Sequence, residues 1–285
     1  MLTHYFKKSW VSRDQILIPG TDLAITRGYA LFDYLRTYDQ VLFHLDDHIE
    51  RLFRTASIIN LNPPFSKEEI TAIVRKGIIR NAPYVRELDV KIVVTGGDSL
   101  DGISVQEGAQ NFYVLFGSIT PHDDAYFTTP RKLITRPSTR IFTDAKSSVY
   151  LGPLVYRAAA KQAGAVEILN VSLSGIVSEC MRANIFFCTD DEVIVPIDDI
   201  LLGITRQVII TQLKQAGLKV TERTVTIDEV FQMKGAWISG SGIEIIPIQE
   251  IDGAVLGDGS IPALAVRAIE LFRGYTADYP THQSR

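Results

Sequence analysis

The spacing of apolar residues predicts strands and helices that alternate along the first third of the chain. Residues 29–39 alternate and are rich in aromatic side chains, as in a β-strand, and a turn at Asp39-Gln40 leads to a second short strand. The apolar period then changes to three or four residues over 45–61, which predicts a helix. Ser66 and Glu69 have the spacing of a capping box, so a second helix is expected after them.

The rest of the chain also mixes the two periods. Buried strands are predicted over 90–97 and 111–118, and further strands over 165–171, 176–188, 219–225 and 236–248. Helices are predicted over 152–164, over 204–217, and from Pro262 to Gly274. The order of these elements lacks strict β-α-β regularity. A mixed α/β or α+β architecture therefore fits better than a doubly wound parallel sheet.

Length and local composition indicate two domains. A chain of 285 residues suits about two domains, and the Gly, Pro and polar residues near 119–126 are typical of a connection. We expect a smaller N-terminal α/β domain over 1–118, a linker over 119–126, and a larger C-terminal domain over 127–285.

Charge and cysteine usage exclude several classes of protein. The net charge of −4 offers no general attraction for a polyanion, so nucleic-acid binding is not expected. Cys180 and Cys188 form no C-x-x-C pair and the histidines do not cluster, so neither a disulfide scaffold nor a metal site is expected. No apolar run has the length of a membrane span or of a signal peptide, and a cytoplasmic location is the expectation.

Three features have the character of an anion site. Gly203 precedes a predicted helix whose first amides lack partners within the helix, the serines and glycines of 239–242 join two strands, and Arg51 lies beside an apolar helical stripe. Each also has an ordinary interpretation, respectively a capped helix, a tight turn and a solvated charge. The residues alone therefore indicate an α/β protein with a candidate phosphate pocket.

Six segments follow one another along the chain, namely RGYALFDYLR, FHLDDHIERL, Lys146 with Tyr150, GAVEILNVSLSGIVSECMRANIFF, LLGITR and SGSGIEIIPI. In this order they resemble blocks of the class IV pyridoxal-phosphate-dependent aminotransferases. This family includes branched-chain aminotransferases, D-amino-acid transaminases and 4-amino-4-deoxychorismate lyases. The resemblance implies the two-domain fold type IV of the α+β class, pyridoxal 5'-phosphate held by the larger C-terminal domain, and a homodimer whose active site is completed across the interface.

The resemblance assigns roles to individual residues. Lys146 is similar to the Schiff-base lysine, whose released amine moves a proton between the substrate and the cofactor. Glu179 would keep the pyridine nitrogen protonated, with Asn184 in support, and Tyr150 would bind the phenolic oxygen of the ring. Cys180 and Val149 depart from the common family residues, glycine and asparagine. The expected phosphate ligands are Arg51, Ile204, Thr205, Ser241 and Gly242.

Two cations at substrate-pocket positions bear on specificity. Arg27 and Lys91 replace residues of the branched-chain enzymes, and they resemble a group of class IV transaminases that bind the carboxylate of D-amino acids with arginine or lysine. We therefore expect a D-amino-acid transaminase that acts on small amino acids and keto acids. A branched-chain L-amino-acid enzyme is the alternative, followed by the lyase and by a non-enzymatic protein that binds a phosphorylated ligand.

Overall fold

The computed structural model describes residues 1–137 and 141–283, and the chain divides by its contacts into two compact units. The division between Pro121 and His122 falls inside the segment 119–126 that the sequence predicts as a connection. Two later segments pack with the first unit, and one of them contains Lys146. The extents 1–118 and 127–285 stay a prediction. The first unit comprises Met1–Pro121, Asp144–Val149 and the segment from Tyr279 onward, and the second comprises His122–Thr143 and Tyr150–Asp278.

The first unit is built on one antiparallel sheet with two long helices. Among its described residues six strands pair in the order β2-β1-β6-β5-β3-β4, and every pairing is antiparallel. The elements are β1 (His4–Phe6), β2 (Ser9–Val11), α1 (Leu23–Arg27), β3 (Ala30–Tyr38), β4 (Val41–Leu42), α2 (Leu45–Ile58), α3 (Lys67–Asn81), β5 (Leu88–Thr95) and β6 (Phe112–Ser118), with a 3₁₀ turn at Arg13–Gln15.

Local chemistry explains the boundaries of several of these elements. Asp39 and Gln40 have φ angles of 47° and 62°, the left-handed conformation that a two-residue hairpin loop requires, so β3 turns directly into β4. The Ser66 side chain accepts from the amide of Glu69, whose carboxylate accepts from the Ser66 amide, and α3 follows this capping box. The predicted hairpin and both predicted helices are confirmed.

The second unit is built on a larger mixed sheet. Its described strands pair in the order β12-β11-β10-β14-β15-β7-β8-β9-β13, with β16 on β15, and the pairs β7–β8, β7–β15 and β11–β12 are parallel. The elements are α4 (Asp124–Thr128), β7 (Arg131–Pro137), α5 (Leu151–Gln162), β8 (Glu167–Val171), β9 (Ile176–Cys180), β10 (Asn184–Cys188), β11 (Glu192–Val195), α6 (Ile204–Gln215), β12 (Lys219–Glu222), β13 (Val225–Thr226), α7 (Ile227–Val230), β14 (Gly235–Gly240), β15 (Glu244–Ile251), β16 (Ala254–Val255) and α8 (Ala263–Gln283).

The last helix is longer than the sequence predicts. The pattern predicts an end at Gly274, but α8 continues to Gln283. A glycine inside a helix costs only about 1 kcal/mol, and buried residues at helical spacing, including Phe272, Thr276 and Tyr279, continue past it. Within the described chain, no helix has the length and apolar character that a membrane crossing needs.

Candidate active site

Lys146 is held against an edge of β3 in the first unit. Ser147 forms an antiparallel bridge with Leu31, and the Lys146 carbonyl accepts a hydrogen bond of 3.0 Å from the Phe32 amide. The Lys146 amide in turn donates to Oγ1 of Thr55, a residue of α2, over 3.1 Å. The main chain of Lys146 is therefore fixed by β3 and by α2, which restricts where its amine can reach.

The ammonium groups of two lysines lie over the ring of Phe32. Lys146 Nζ is 4.9 Å and Lys91 Nζ is 4.7 Å from the ring centroid, so the two nitrogens are no more than about 10 Å apart. Lys91 on β5 is opposite Tyr34, two residues along the same face of β3 from Phe32. Partial desolvation lowers the pKa of Lys91 below its usual value. The structure thus brings Lys91 and Lys146 together on one side of the sheet.

Arg27 occupies a different place, at the exposed end of α1. Gly28 ends this helix in the left-handed conformation, with φ of 68°. The Arg27 guanidinium donates only to the neighbouring Thr26 carbonyl, over 2.8 Å, as far as the described residues show. Arg27 and Lys91 thus lie on different elements of the first unit, α1 and β5.

The opposite face of β3 carries a buried ionic cluster. Asp33 lies in phase with Leu31 and Leu35, the positions that face the core, and it is fully enclosed. Arg51 Nε donates to Asp33 Oδ2 over 2.9 Å and Nη2 donates to Oδ1 over 2.8 Å, while His48 Nδ1 lies 2.6 Å from Oδ1. Arg51 is therefore a buried, paired cation, and the interpretation of it as a solvated surface charge is wrong.

The charges in this cluster shift its pKa values in opposite ways. Burial alone would raise the pKa of Asp33, but Arg51 and His48 outweigh it and hold the pKa well below its usual value. Burial lowers the pKa of His48, and the cations Arg51 and Lys146 add to this effect against the attraction of Asp33. The cluster therefore holds an ionised carboxylate that accepts hydrogen bonds from the Arg51 guanidinium and from His48 Nδ1.

The second unit places Glu179 in a buried strand. Glu179 is 4% exposed, and Asn184 Nδ2 donates both to Glu179 Oε2 over 3.0 Å and to the Leu201 carbonyl over 2.8 Å. Gly203 packs directly against this amide, because a Cβ at Gly203 would lie 2.0 Å from Asn184 Oδ1. Tyr150 also belongs to this unit, as the half-buried residue that precedes α5.

The first backbone amides of α6 have no hydrogen-bond acceptor within the helix. Gly203 is its N-cap and supplies no side-chain acceptor, and the first turn contains no acidic residue. Ile204 and Thr205 are both buried there. An anion would receive hydrogen bonds from these amides and would be stabilised by the helix dipole.

Ser241 and Gly242 lie in the turn between β14 and β15. Ile243 donates to the Gly240 carbonyl over 3.1 Å to close this turn, and the Gly242 carbonyl lies 3.3 Å from His122 Nε2. Just before the turn, the hydroxyl of Ser239 is enclosed and has no hydrogen-bond partner among the described groups. Ser239 is directly opposite Asn184 across the β10–β14 pair, so both side chains lie on one face of the sheet.

Three residues of the first unit are not among those that the sequence predicts for the site, namely Asp33, His48 and Thr55. Asp33 could have been found, since it is a charged residue at an apolar position of an alternating strand. His48, Arg51 and Thr55 recur at helical spacing on the same face of α2, but their partners are distant in the chain and only the structure reveals them. No group of three His, Cys, Asp or Glu residues in the described chain could hold a metal ion.

Comparison with known proteins identifies the family. The model of the family Amino-transferase class IV matches residues 30–251, which is most of the chain. The chain belongs to this family. It is accordingly an aminotransferase, as the resemblance implied, and pyridoxal phosphate is the cofactor of the class.

Individual relatives of the aminotransferase carry two different substrate names. A D-alanine aminotransferase of Listeria monocytogenes is 29% identical over 92% of both chains, and a branched-chain-amino-acid aminotransferase of Pseudomonas aeruginosa is 29% identical over 81% of this chain and 79% of that one. The solved structure of the branched-chain amino acid aminotransferase from Escherichia coli superposes with a TM-score of 0.86 at 22% identity, over 95% of this chain and 93% of that chain. The predicted α+β fold is confirmed.

Proposed function

We propose that this aminotransferase binds pyridoxal 5'-phosphate and transfers an amino group between a D-amino acid and a 2-keto acid. The observation that carries the proposal is the placement of Lys91 and Lys146 over one aromatic ring. Lys146 supplies an amine for the chemistry, and Lys91 supplies a nearby cation for a substrate carboxylate. Because an amino-acid substrate brings its carboxylate one bond away from the reacting carbon, such a pair suits it.

The described residues fit the cofactor. A phosphate group needs hydrogen-bond donors and positive charge, which Arg51 provides in the first unit and the start of α6 in the second. A pyridine nitrogen needs a carboxylate to stay protonated, and Glu179 is a buried carboxylate with a supporting amide donor. We assign the phosphate to Arg51, Ile204, Thr205, Ser241 and Gly242, the ring nitrogen to Glu179, and the phenolic oxygen to Tyr150.

Each residue then has a defined task. Pyridoxal phosphate supplies an electrophilic carbon and a ring that accepts electrons from the substrate Cα. Lys146 would move the proton of the substrate Cα with its amine. Glu179 holds the proton on the ring nitrogen. Lys91 and Arg27 bind the substrate carboxylate, Arg27 through the two parallel bonds that a guanidinium can form.

We further propose that the enzyme is a homodimer whose active site is completed across the interface. Leu151, Leu154 and Val155 occupy one side of α5 and are 75%, 67% and 64% exposed. Apolar side chains grouped in this way on one helix face are typical of a surface that another protein covers. Sedimentation of the holoenzyme tests this, and we expect Leu154→Glu to shift the protein towards the monomer. A wild-type protein that sediments as a monomer would refute the proposal.

A branched-chain L-amino-acid aminotransferase is the second candidate. The named relatives favour it as much as the D-specific enzyme, because one of each is 29% identical. The lyase that acts on aminodeoxychorismate is a third candidate, since the groups assigned to the cofactor do not distinguish it.

A half-reaction experiment separates these candidates. The holoenzyme is mixed in turn with D-alanine, D-glutamate and L-leucine, and the absorbance of the bound cofactor is followed as it changes to the pyridoxamine form. Conversion by the D-amino acids alone supports the proposal, and conversion by L-leucine alone supports the branched-chain enzyme. Pyruvate release from aminodeoxychorismate, with no conversion by any amino acid, would indicate the lyase.

Two lysine variants test the assignment of the amine. Lys146→Ala is expected to abolish turnover while the protein stays folded. Lys161→Ala, which removes an exposed lysine of α5, serves as the control and should keep wild-type turnover. Full activity of Lys146→Ala would overturn the assignment.

A further inference from the structure

The cluster of Asp33, His48 and Arg51 is costly for a purely structural feature. All three side chains are at most 5% exposed, and taking charges out of water costs several kcal/mol per ion. Apolar residues of similar volume stabilise a core equally well or better. Stability alone therefore does not explain why a carboxylate occupies a core-facing position of β3.

The geometry of the cluster leaves one side of Arg51 for a ligand. Nε and Nη2 both donate to Asp33, and Nη2 also lies 3.3 Å from His48 Nδ1. Nη1 has no acceptor among the residues that the structure describes. A planar guanidinium that is held by two parallel bonds cannot rotate, so the direction of Nη1 is set by the position of the Asp33 carboxylate.

His48 in turn holds the carboxylate. Its Nδ1 contacts Asp33 Oδ1, the same oxygen that receives Arg51 Nη2, and His48 precedes Arg51 by three residues on α2. The helix thus fixes the carboxylate through the imidazole and the guanidinium together. His48 Nε2 is enclosed and has no partner among the described residues, so Nδ1 is the atom through which this side chain contributes.

We propose that Asp33 and His48 are positioning residues that orient Arg51 Nη1 towards the phosphate of the cofactor. This inference rests on the proposed role of Arg51 as a phosphate ligand. The expected effect on phosphate affinity is the opposite of the one that charge alone predicts. If only charge mattered, removal of the Asp33 carboxylate would increase the positive potential at Arg51 and tighten the binding of a dianion.

The test compares two forms of the vitamin that differ only in the phosphate. Dissociation constants of pyridoxal 5'-phosphate and of pyridoxal are measured by absorbance on the apoprotein of the wild type, Asp33→Asn, His48→Gln and His48→Asn. The amide nitrogen of asparagine can replace Nδ1 of histidine, whereas that of glutamine replaces Nε2. His48→Asn is therefore the conservative variant, and His48→Gln is its matched control. Thermal unfolding of each apoprotein is recorded in parallel.

We expect Asp33→Asn and His48→Gln to bind pyridoxal 5'-phosphate at least about 10-fold more weakly and to bind pyridoxal within about twofold of the wild type, with His48→Asn close to the wild type for both. Equal weakening for both compounds, unchanged affinity, or tighter binding of the phosphorylated form by Asp33→Asn would overturn the inference. If Asp33→Asn does not fold, the His48 pair decides the question. Failure of the wild type to bind the phosphorylated form would instead refute the proposed function.

Discussion

Gly203 is a position where a single added methyl group should destabilise the protein. Its backbone angles, φ −70° and ψ 136°, are open to any residue, so Gly203→Ala introduces no backbone strain. The new Cβ would, however, lie 2.0 Å from Asn184 Oδ1. Ordinary contact needs more than about 3 Å, so the Asn184 amide must move by about 1 Å or more. Its bonds to Glu179 and Leu201, at 3.0 and 2.8 Å, would then exceed the hydrogen-bonding range.

The cost follows from these contacts. Loss of a hydrogen bond to a charged group costs about 1.5–3 kcal/mol, and an overpacked core costs about 1–3 kcal/mol. We therefore expect Gly203→Ala to reduce the free energy of unfolding by about 2–5 kcal/mol. Gly274→Ala is the matched control, because that glycine lies inside α8 with no atom within 4 Å of an added Cβ. It should stabilise the protein by about 0.5–1 kcal/mol through helix propensity.

Urea unfolding of the apoprotein measures both effects. A double-mutant cycle with Asn184→Ala isolates the clash, since the alanine has no amide oxygen for the new methyl group to meet. In that background Gly203→Ala should cost less than about 0.5 kcal/mol. The reasoning is refuted if Gly203→Ala is as harmless as Gly274→Ala, or if its cost is the same with and without the Asn184 side chain.

Three further changes address the first unit. Thr55→Val keeps the shape of a fully buried side chain but removes the acceptor of the Lys146 amide. The free energy of unfolding measured in urea should therefore fall by about 1–3 kcal/mol, and Thr55→Ser should recover most of this loss. Arg27→Ala should raise KM for the amino acid about 10- to 100-fold with cofactor retention unchanged, and unaltered kinetics would remove Arg27 from the substrate site. Folding lowers the pKa of His48, so the imidazole is protonated in the unfolded state before the folded state as the pH falls below 6.5. The free energy of unfolding of the wild-type apoprotein should therefore fall more between pH 7 and pH 5 than that of His48→Asn. Equal losses for the two proteins would contradict this prediction.

Features that depend on neighbours in the chain could be predicted from the sequence. The hairpin at Asp39-Gln40 and the capping box at Ser66 are set by a few adjacent residues, and the structure has both. The three-residue strands β1 and β2 could not be predicted, because they are too short to show a period and are stabilised by pairing with each other and with β6. The predicted end of α8 is wrong because packing outweighs the propensity of one glycine.

The candidate site, too, could be predicted only in part from the sequence. Lys146, Glu179 and the start of α6 are recognisable from segments that resemble the family, although their roles stay proposals. The partners that position these residues are not recognisable in that way. Thr55 is 91 residues from Lys146 and Asp33 is 18 residues from Arg51, so nothing in the local pattern connects them. The pairing of 146–148 with β3 is likewise a long-range contact that no hydrophobic period encodes.

This pairing also has a consequence for the stability of the N-terminal part when it is produced alone. β4 covers β3 only at Thr37 and Tyr38, and Ser147 and its neighbours cover the same edge near Leu31. A fragment that stops at Pro121 would lose this cover and leave unpaired amides and carbonyls along an apolar strand, a template for aggregation. The segment that carries Lys146 therefore also protects the sheet from self-association.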